Sequence, residues 1–110
     1  MQIIIPVMRS AMLGKVTNAL EEIDGFPGLT LTAVRGFGRR QIALKRISRW
    51  KRLLAKVRLE IVVHDEVVKQ IVYTAVRVPH TDNHGDGKVF VWPVEQAVSI
   101  RTGKTDEEAS

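Results

Sequence analysis

The stretch that decides the fold is VRLEIVVHDEVVKQIVYTAV, residues 57–76. Its first five residues alternate between apolar and charged side chains, as a half-buried strand does. The apolar face carries Val57, Leu59, Ile61 and Val63, and the other face carries Arg58 and Glu60. The period then becomes helical, and we expect Asp65 to cap a helix whose apolar side carries Val68, Ile71, Val72, Ala75 and Val76. This stretch therefore predicts a strand that leads directly into a helix.

The first half of the chain follows the same plan. Residues 2–8 are rich in Ile and Val and predict a buried strand. Ser10 is the predicted N-cap of a helix over residues 10–23, which residues 24–28 (DGFPG) end before a strand at 29–34. In the second half a polar loop at 79–87 precedes a strand at 88–92 and an extended segment at 94–100. Two such βαβ units predict a ferredoxin-like α+β sandwich, with a four-stranded antiparallel sheet and two helices on one face.

The predicted sheet has a second face that the helices leave uncovered. That face carries Ile, Val, Leu and Trp side chains, so we expect a homo-oligomer that buries it. With 110 residues the chain is long enough for one domain. It has no Cys, and its longest apolar run near the N-terminus is too short to span a membrane, so the sequence predicts a cytoplasmic protein.

The positive charge of the chain is concentrated in one segment. Residues 39–58 hold nine of the seventeen Lys and Arg residues and no acid, so the remaining eight cations stand against all twelve acids. We expect a mobile basic loop at 39–55 and a frayed acidic tail at 104–110. The molecule is therefore a mildly acidic body that carries one strongly basic segment.

Three short stretches combine glycine with a cation: GFGR at 36–39, GDGK at 85–88 and IRTG at 100–103. Glycine lets consecutive backbone N–H groups converge on one anion, and Lys or Arg supplies the charge that suits a phosphate. Each stretch alone is a weak motif. Their combination predicts a protein that binds a nucleotide.

These residues resemble the PII signal-transduction family over nearly the whole chain. The matching pieces are ALEE at 19–22, GLTLT at 28–32, GFGR at 36–39, KVRLEIVV at 56–63, GDGKVFV at 85–91 and IRTG at 100–103. The resemblance implies a homotrimer with an adenine nucleotide (ATP, ADP or AMP) in each of three clefts between subunits. It also implies a long loop that docks onto transporters or enzymes.

The resemblance implies a role for each matching residue. The 85–88 loop would hold the phosphates with backbone amides, Lys88 would add charge, and Arg101 would reach the phosphates from the neighbouring subunit. Glu60 would lie beside the pocket. The implied nucleotide-binding residues are Val7, Thr30, Gly36, Gly38, Arg39, Arg40, Val62, Gly85, Asp86, Gly87, Lys88 and Arg101.

Two residues depart from the family pattern. Arg40 stands where the family has a glutamine that helps to hold magnesium and 2-oxoglutarate, which puts both of these ligands in question because an arginine repels a divalent cation. Arg40 could instead contact a phosphate or carboxylate. Ser99 stands where a second phosphate-binding arginine is usual, so we expect weaker binding of triphosphates.

The central loop departs most from the family. It is about three residues shorter than the family norm and has no tyrosine, so regulation by tyrosine uridylylation is not expected. If it is helical, Ala43, Ile47, Trp50 and Leu54 share one side. Such a basic amphipathic element suits an acidic groove on a partner or the anionic surface beside a membrane protein. The predicted partner-binding residues are Arg46, Arg49, Trp50 and Arg52.

Two other functions compete with a nucleotide-responsive regulator. His80, Asp82 and His84 alternate in one loop and could approach a metal ion, as in a metal-responsive trimer resembling the copper-tolerance CutA-type proteins. The basic segment alternatively suggests a nucleic-acid-binding module. The chain has no Walker A sequence and no nucleophilic triad, so we predict no enzyme and at most slow ATP hydrolysis.

Overall fold

The structure is a computed structural model, and it describes residues 1–36, 54–78 and 87–106. Within these ranges, four strands and two α-helices follow one another in the order βαββαβ. One 3-10 turn, Ser10–Met12, precedes the first helix. The elements are β1 (Gln2–Arg9), α1 (Leu13–Glu21), β2 (Thr30–Gly36), β3 (Leu54–Val63), α2 (Asp65–Arg77) and β4 (Gly87–Pro93).

The four strands form one antiparallel sheet in the order β2-β3-β1-β4. The two central strands, β1 and β3, are adjacent although α1 and β2 lie between them along the chain. Ile4 of β1 is in register with Ile61 of β3 and with Val91 of β4. This strand order and the two helices confirm the predicted ferredoxin-like α+β fold.

The hydrophobic core lies between this sheet and the two helices. Alternation along β3 turns Leu59 and Ile61 toward the helices, where both are fully buried. Val16 and Leu20 of α1 and Ile71 of α2 meet them from the other side. The buried core cluster comprises Ile4, Met8, Val16, Leu20, Ile23, Val57, Leu59, Ile61, Val63 and Ile71.

The second face of the sheet, which we call the open face, is apolar at its centre. Ile5 lies on this face and is only 1% exposed, although it is not part of the core cluster under the helices. Its register partner Phe90 is 48% exposed, and Trp92, which is in register with Ile3, is 46% exposed. The prediction of an apolar face without helices is therefore confirmed for the described residues.

Both helices begin differently from the sequence prediction. Ser10 was expected to cap α1, but it opens the 3-10 turn, and Met12 occupies the N-cap position in a helical conformation that gives no side-chain cap hydrogen bond. Asp65 was expected to cap α2, but it is the first helical residue, and His64 occupies the N-cap position with extended backbone. Asp65 and Glu66 still complement the positive end of the α2 dipole.

Two predicted boundaries are also corrected. Leu54 was counted in the basic loop and on one side of its possible helix, but it begins β3, where its backbone is in register with Gly36. The pairing of β2 with β3 thus extends beyond the alternating apolar pattern. Residues 94–100 were expected to be simply extended, but their second half is one arm of a hairpin.

This C-terminal hairpin, residues 97–106, follows β4. Val98 and Thr105 form an antiparallel bridge, and the N–H of Asp106 donates to the carbonyl of Ala97 at 2.6 Å. Lys104 accepts a 2.9 Å hydrogen bond from the N–H of Ser99. The first residues of the predicted frayed tail therefore belong to an ordered turn.

Candidate functional site

One end of the sheet, which we call the loop end, receives two of the three segments that the sequence predicts to bind phosphate, GFGR and GDGK. Gly36, at the end of β2, leads into the 37–53 segment, and its partner Leu54 begins β3. On the other edge strand, Gly87 begins β4 and is in register with Met8, near the end of β1. The end of β2, which leads into the basic loop, and the start of β4, formed by Gly87 and Lys88 of the GDGK segment, therefore lie at the same end of the sheet.

At the loop end, Gly87 is held closer to β1 than any other residue type would allow. Its φ of +149° lies in a region that side chains rarely adopt, and a Cβ built on it would overlap the carbonyl oxygen of Val7. The same Cβ would lie 3.0 Å from the Cα of Met8. The glycine of this motif is thus required by the approach of β4 to β1, and it orients the strand that carries Lys88.

Lys88 lies on the open face beside Val7. The two residues are in register, and Val7 is also in register with Arg58 on its other side. Because neighbouring strands are about 4.8 Å apart, Lys88 and Arg58 lie on the same row of the sheet, one on each side of Val7. Lys88 is exposed to solvent. A negatively charged ligand at this row would meet an exposed ammonium group and an apolar side chain together.

Sequence reasoning did not assign a partner to Arg58. Its Nε lies 3.5 Å from Oε1 of Glu60, and both side chains are about two-fifths exposed. The two residues are separated by one position on a strand, so they share a face, and that spacing is the signal by which the pair could have been predicted. Arg58 thus lies on the open face between Val7, the register partner of Lys88, and the predicted pocket residue Glu60.

The other predicted residues lie toward the opposite end of the sheet, which we call the hairpin end. Thr30, the first residue of β2, is in register with Glu60, and Val62 is in register with Ile3. Val62 is four residues along β3 from the register partner of Val7, or about 13 Å. Within one chain the structure therefore does not bring Val7 and Val62 together.

Arg101 belongs to the hairpin end. β4 ends at Pro93, which is in register with Gln2, and the N–H of Val94 donates to the carbonyl of Met1 at 3.1 Å. The chain then enters the C-terminal hairpin, whose turn carries Arg101 exposed to solvent. Lys88 thus lies near the start of β4, and Arg101 lies beyond its end. The part of β4 between Lys88 and Pro93 is about 17 Å long.

A contact at the hairpin end connects the start of the chain to α2. The amino group of Met1 lies 2.9 Å from Oδ1 of Asp65, whose side chain is 71% exposed. This hydrogen bond, together with the positive charge of the amine, holds the pKa of the Asp65 carboxyl below its usual value. The sequence signal for Asp65 was interpreted as a helix cap, and the pairing of β1 with β3 brings the amine to it instead.

Several predicted residues lie outside the described ranges. They are Gly38, Arg39, Arg40, Gly85 and Asp86 of the nucleotide set, Arg46, Arg49, Trp50 and Arg52 of the basic loop, and His80 and His84 of the possible metal site. Within 1–36, 54–78 and 87–106, no group of three or more His, Asp or Glu side chains is arranged to hold a metal ion. Among the same residues, no helix combines the length and the hydropathy needed to cross a membrane.

Comparisons with known proteins agree with this arrangement. The family model described as Nitrogen regulatory protein P-II matches residues 1–104. The chain is 43% identical to Nitrogen regulatory protein P-II of Haemophilus influenzae, over 88% of each chain. It is 41% identical to Nitrogen regulatory protein P-II 2 of Methanothermobacter thermautotrophicus, over 99% of this chain and 96% of that protein. It is also 40% identical to Nitrogen regulatory protein P-II 1 of Escherichia coli K12, over 94% of each chain.

These matches cover the sheet, both helices and most of the C-terminal hairpin, and they do not favour the metal-responsive alternative. A protein of this family is a regulator in signal transduction, not an enzyme. The chain belongs to the P-II family of nitrogen regulatory proteins.

Proposed function

We propose that this protein is a homotrimeric PII regulator that binds adenine nucleotides at its subunit interfaces. Each site would combine the loop end of one subunit, with Val7, Gly87 and Lys88, and the hairpin end of the next, with Thr30, Val62 and Arg101. The bound nucleotide would change the affinity of the basic loop for a partner protein. That partner would be a regulated enzyme or the cytoplasmic face of a transporter.

The observation that carries this proposal is the position of the two cations relative to β4. Lys88 is the second residue of β4, where that strand begins to pair with β1. Arg101 lies in the hairpin that follows the other end of β4. A nucleotide phosphate is small compared with the length of β4, so the two cations are more readily joined on it by two copies of the chain than by one. The exposed apolar open face supplies a reason for the copies to associate.

Charge chemistry gives the proposed site its ligand class. Lys is a compact point charge, and Arg offers several N–H donors in a fixed fork, and both suit phosphate oxygens. Val7, beside Lys88 at the loop end of one subunit, and Val62, at the hairpin end of the next subunit, would offer apolar surface to an adenine ring. The arrangement thus favours a ligand with an anionic end and a flat apolar end.

The test is calorimetry of the purified protein with AMP, ADP and ATP, each with and without Mg²⁺ and 2-oxoglutarate. We expect at least one adenine nucleotide to bind. Lys88→Ala and Arg101→Ala should each weaken it by roughly ten- to a hundredfold, because each removes a charged hydrogen-bond donor. Lys69→Ala and Arg77→Ala remove the same charges from exposed positions on α2 and should leave the affinity unchanged. No binding by any of the three nucleotides at millimolar concentration would refute the proposal.

The proposed partner function is tested separately. Replacing Arg46, Arg49 and Arg52 by Gln removes charge from the basic loop but leaves Lys88 and Arg101 in place. We expect unchanged nucleotide affinity and loss of the partner that copurifies with the native protein from its own cells. A large change in nucleotide affinity would mean that these arginines belong to the nucleotide site instead.

A further inference from the structure

The turn that carries Arg101 is organised around Ser99. The N–H of Ser99 donates to the carbonyl of Lys104 at 2.9 Å, and its carbonyl accepts from the N–H of Gly103 at 2.8 Å. Its hydroxyl oxygen accepts from the N–H of Thr102 at 3.3 Å. Ser99 thus uses its backbone donor, its backbone acceptor and its side chain within one turn.

The rest of the turn is consistent with a fixed conformation. Gly103 has a φ of +74°, the left-handed conformation that ends such a turn, and nothing lies within 4 Å of a Cβ built on it. The Oγ1 of Thr102 accepts from the N–H of Lys104 at 3.2 Å. Between these bonds, Ile100 and Arg101 are exposed to solvent.

The hydroxyl of Ser99 acts on one particular peptide bond. The N–H of Thr102 belongs to the peptide that follows Arg101, so a hydrogen bond to it restrains the backbone rotation between the Cα and the carbonyl carbon of Arg101. That rotation decides how the hairpin backbone is oriented relative to the Arg101 side chain. A group that is oriented before binding loses less conformational entropy when it contacts its ligand.

We propose that Ser99 is a positioning residue for Arg101. The inference rests on the proposed function, since it concerns how Arg101 meets the nucleotide phosphate. Ser99 contributes no charge to the site. It holds the Arg101–Thr102 peptide in the orientation from which the guanidinium extends toward the neighbouring subunit, and it thereby raises the affinity that a single arginine can give.

A purely structural role for the Ser99 hydroxyl makes a different prediction. The two backbone hydrogen bonds of Ser99 and the Val98–Thr105 bridge close the hairpin without the hydroxyl. The Thr102 N–H is exposed, so water can bond to it when the hydroxyl is removed. Ser99→Ala should therefore leave the thermal unfolding midpoint unchanged while it reduces nucleotide affinity.

The experiment is a double-mutant cycle on nucleotide affinity, measured by calorimetry with the adenine nucleotide that binds the native protein most tightly. Ser99→Ala should weaken binding by roughly two- to tenfold, the range that one ordinary hydrogen bond gives. Ser99→Thr keeps the hydroxyl and should restore the affinity. In the Arg101→Ala background, Ser99→Ala should have no further effect, because the residue that it positions is gone.

Thr17→Ala is the matched control, because it removes a hydroxyl that bonds to the carbonyl of Leu13 on α1, away from the hairpin, and should not change the affinity. An unchanged affinity in Ser99→Ala, or an equal loss with and without Arg101, would overturn the positioning role while the proposed function stands. Absence of nucleotide binding by the native protein would remove the proposed function and the positioning role together.

Discussion

The loop end and the hairpin end of the sheet are built by different means. At the loop end the backbones of β4 and β1 approach so closely at Gly87 that no side chain fits. At the hairpin end, side chains and the terminal amine make the contacts: Asp65 binds the amine of Met1, and Ser99 organises its own turn. A change at Gly87 should therefore act on the fold, whereas a change at Ser99 should act on the site with little effect on the fold.

The largest effect is expected on the open face, which joins the two ends. If copies of the chain associate through this face, Trp92→Glu would bury an unpaired carboxylate in each copy, at a cost of about 3 kcal/mol or more for each. We expect monomers by sedimentation equilibrium. Val76→Glu is the matched control, since Val76 on α2 is 47% exposed and Trp92 is 46% exposed. A Trp92→Glu protein that stays trimeric would show that the open face is not the interface.

The next largest effect compares the two ends directly. Gly87 and Gly103 both have positive φ, but only Gly87 has backbone atoms where a Cβ would lie. Gly87→Ala should lower the free energy of unfolding by about 2–4 kcal/mol, because β4 must move away from β1. Gly103→Ala should cost only about 1 kcal/mol, from the strained φ. Denaturant unfolding at one fixed protein concentration measures both.

Gly14→Ala is the control for this comparison, since Gly14 is helical and has open space around it. It should be neutral or stabilising by up to about 1 kcal/mol, the difference in helix propensity. Equal losses for Gly87→Ala and Gly103→Ala would contradict the difference between the two ends.

The smallest effect concerns pH at the hairpin end. The folded-state pKa of Asp65 is lowered by the amine of Met1, so the ion pair stabilises the fold above the unfolded value of about 3.9. The stabilisation is lost as the pH falls through the lower folded-state pKa. Asp65→Asn should therefore lower the thermal midpoint slightly at about pH 5–7 and should match the native protein at sufficiently acid pH. Glu66→Gln removes a charge from the same helical turn without removing the ion pair, and it should change the thermal midpoint at about pH 5–7 less than Asp65→Asn does.

A constant difference between native and Asp65→Asn midpoints across the acid range would contradict this account of the ion pair. It would mean that Asp65 contributes through local packing or a hydrogen bond that does not depend on its charge.

The sequence predicted the fold class and the four strands and two α-helices of the described ranges, because the alternation of β3 and the helical spacing in α2 reflect real burial. Leu59 and Ile61 are fully buried on the face where the alternation put them. The helix starts were wrong because Ser10 and Asp65 have the right chemistry for caps but not the extended backbone that a cap requires. In the structure Ser10 opens a 3-10 turn, and Asp65 is already helical and pairs with the amine of Met1.

The C-terminal hairpin could not be predicted from periodicity, since a single bridge between Val98 and Thr105 leaves no repeating pattern. The resemblance implied the individual site residues and assigned Arg101 to the neighbouring subunit, but the sequence did not show which of the other proposed residues lie at the same end of the sheet. Strand register decides that division: it puts Lys88 beside Val7 and Val62 beside Ile3. No property of a single residue carries this information, because register depends on the whole ladder of the sheet.

The most direct test of the central claim, that each site needs two copies of the chain, is subunit mixing. Lys88→Ala and Arg101→Ala subunits are expressed together with different tags, and oligomers that contain both variants are purified on both tags. Neither variant alone should bind nucleotide with native affinity. In a closed trimeric ring with head-to-tail sites, every mixed oligomer has one site with both cations intact, so we predict about one site of native affinity per three subunits. Mixed oligomers with no site of native affinity would contradict the account, because they would mean that Lys88 and Arg101 act from the same chain.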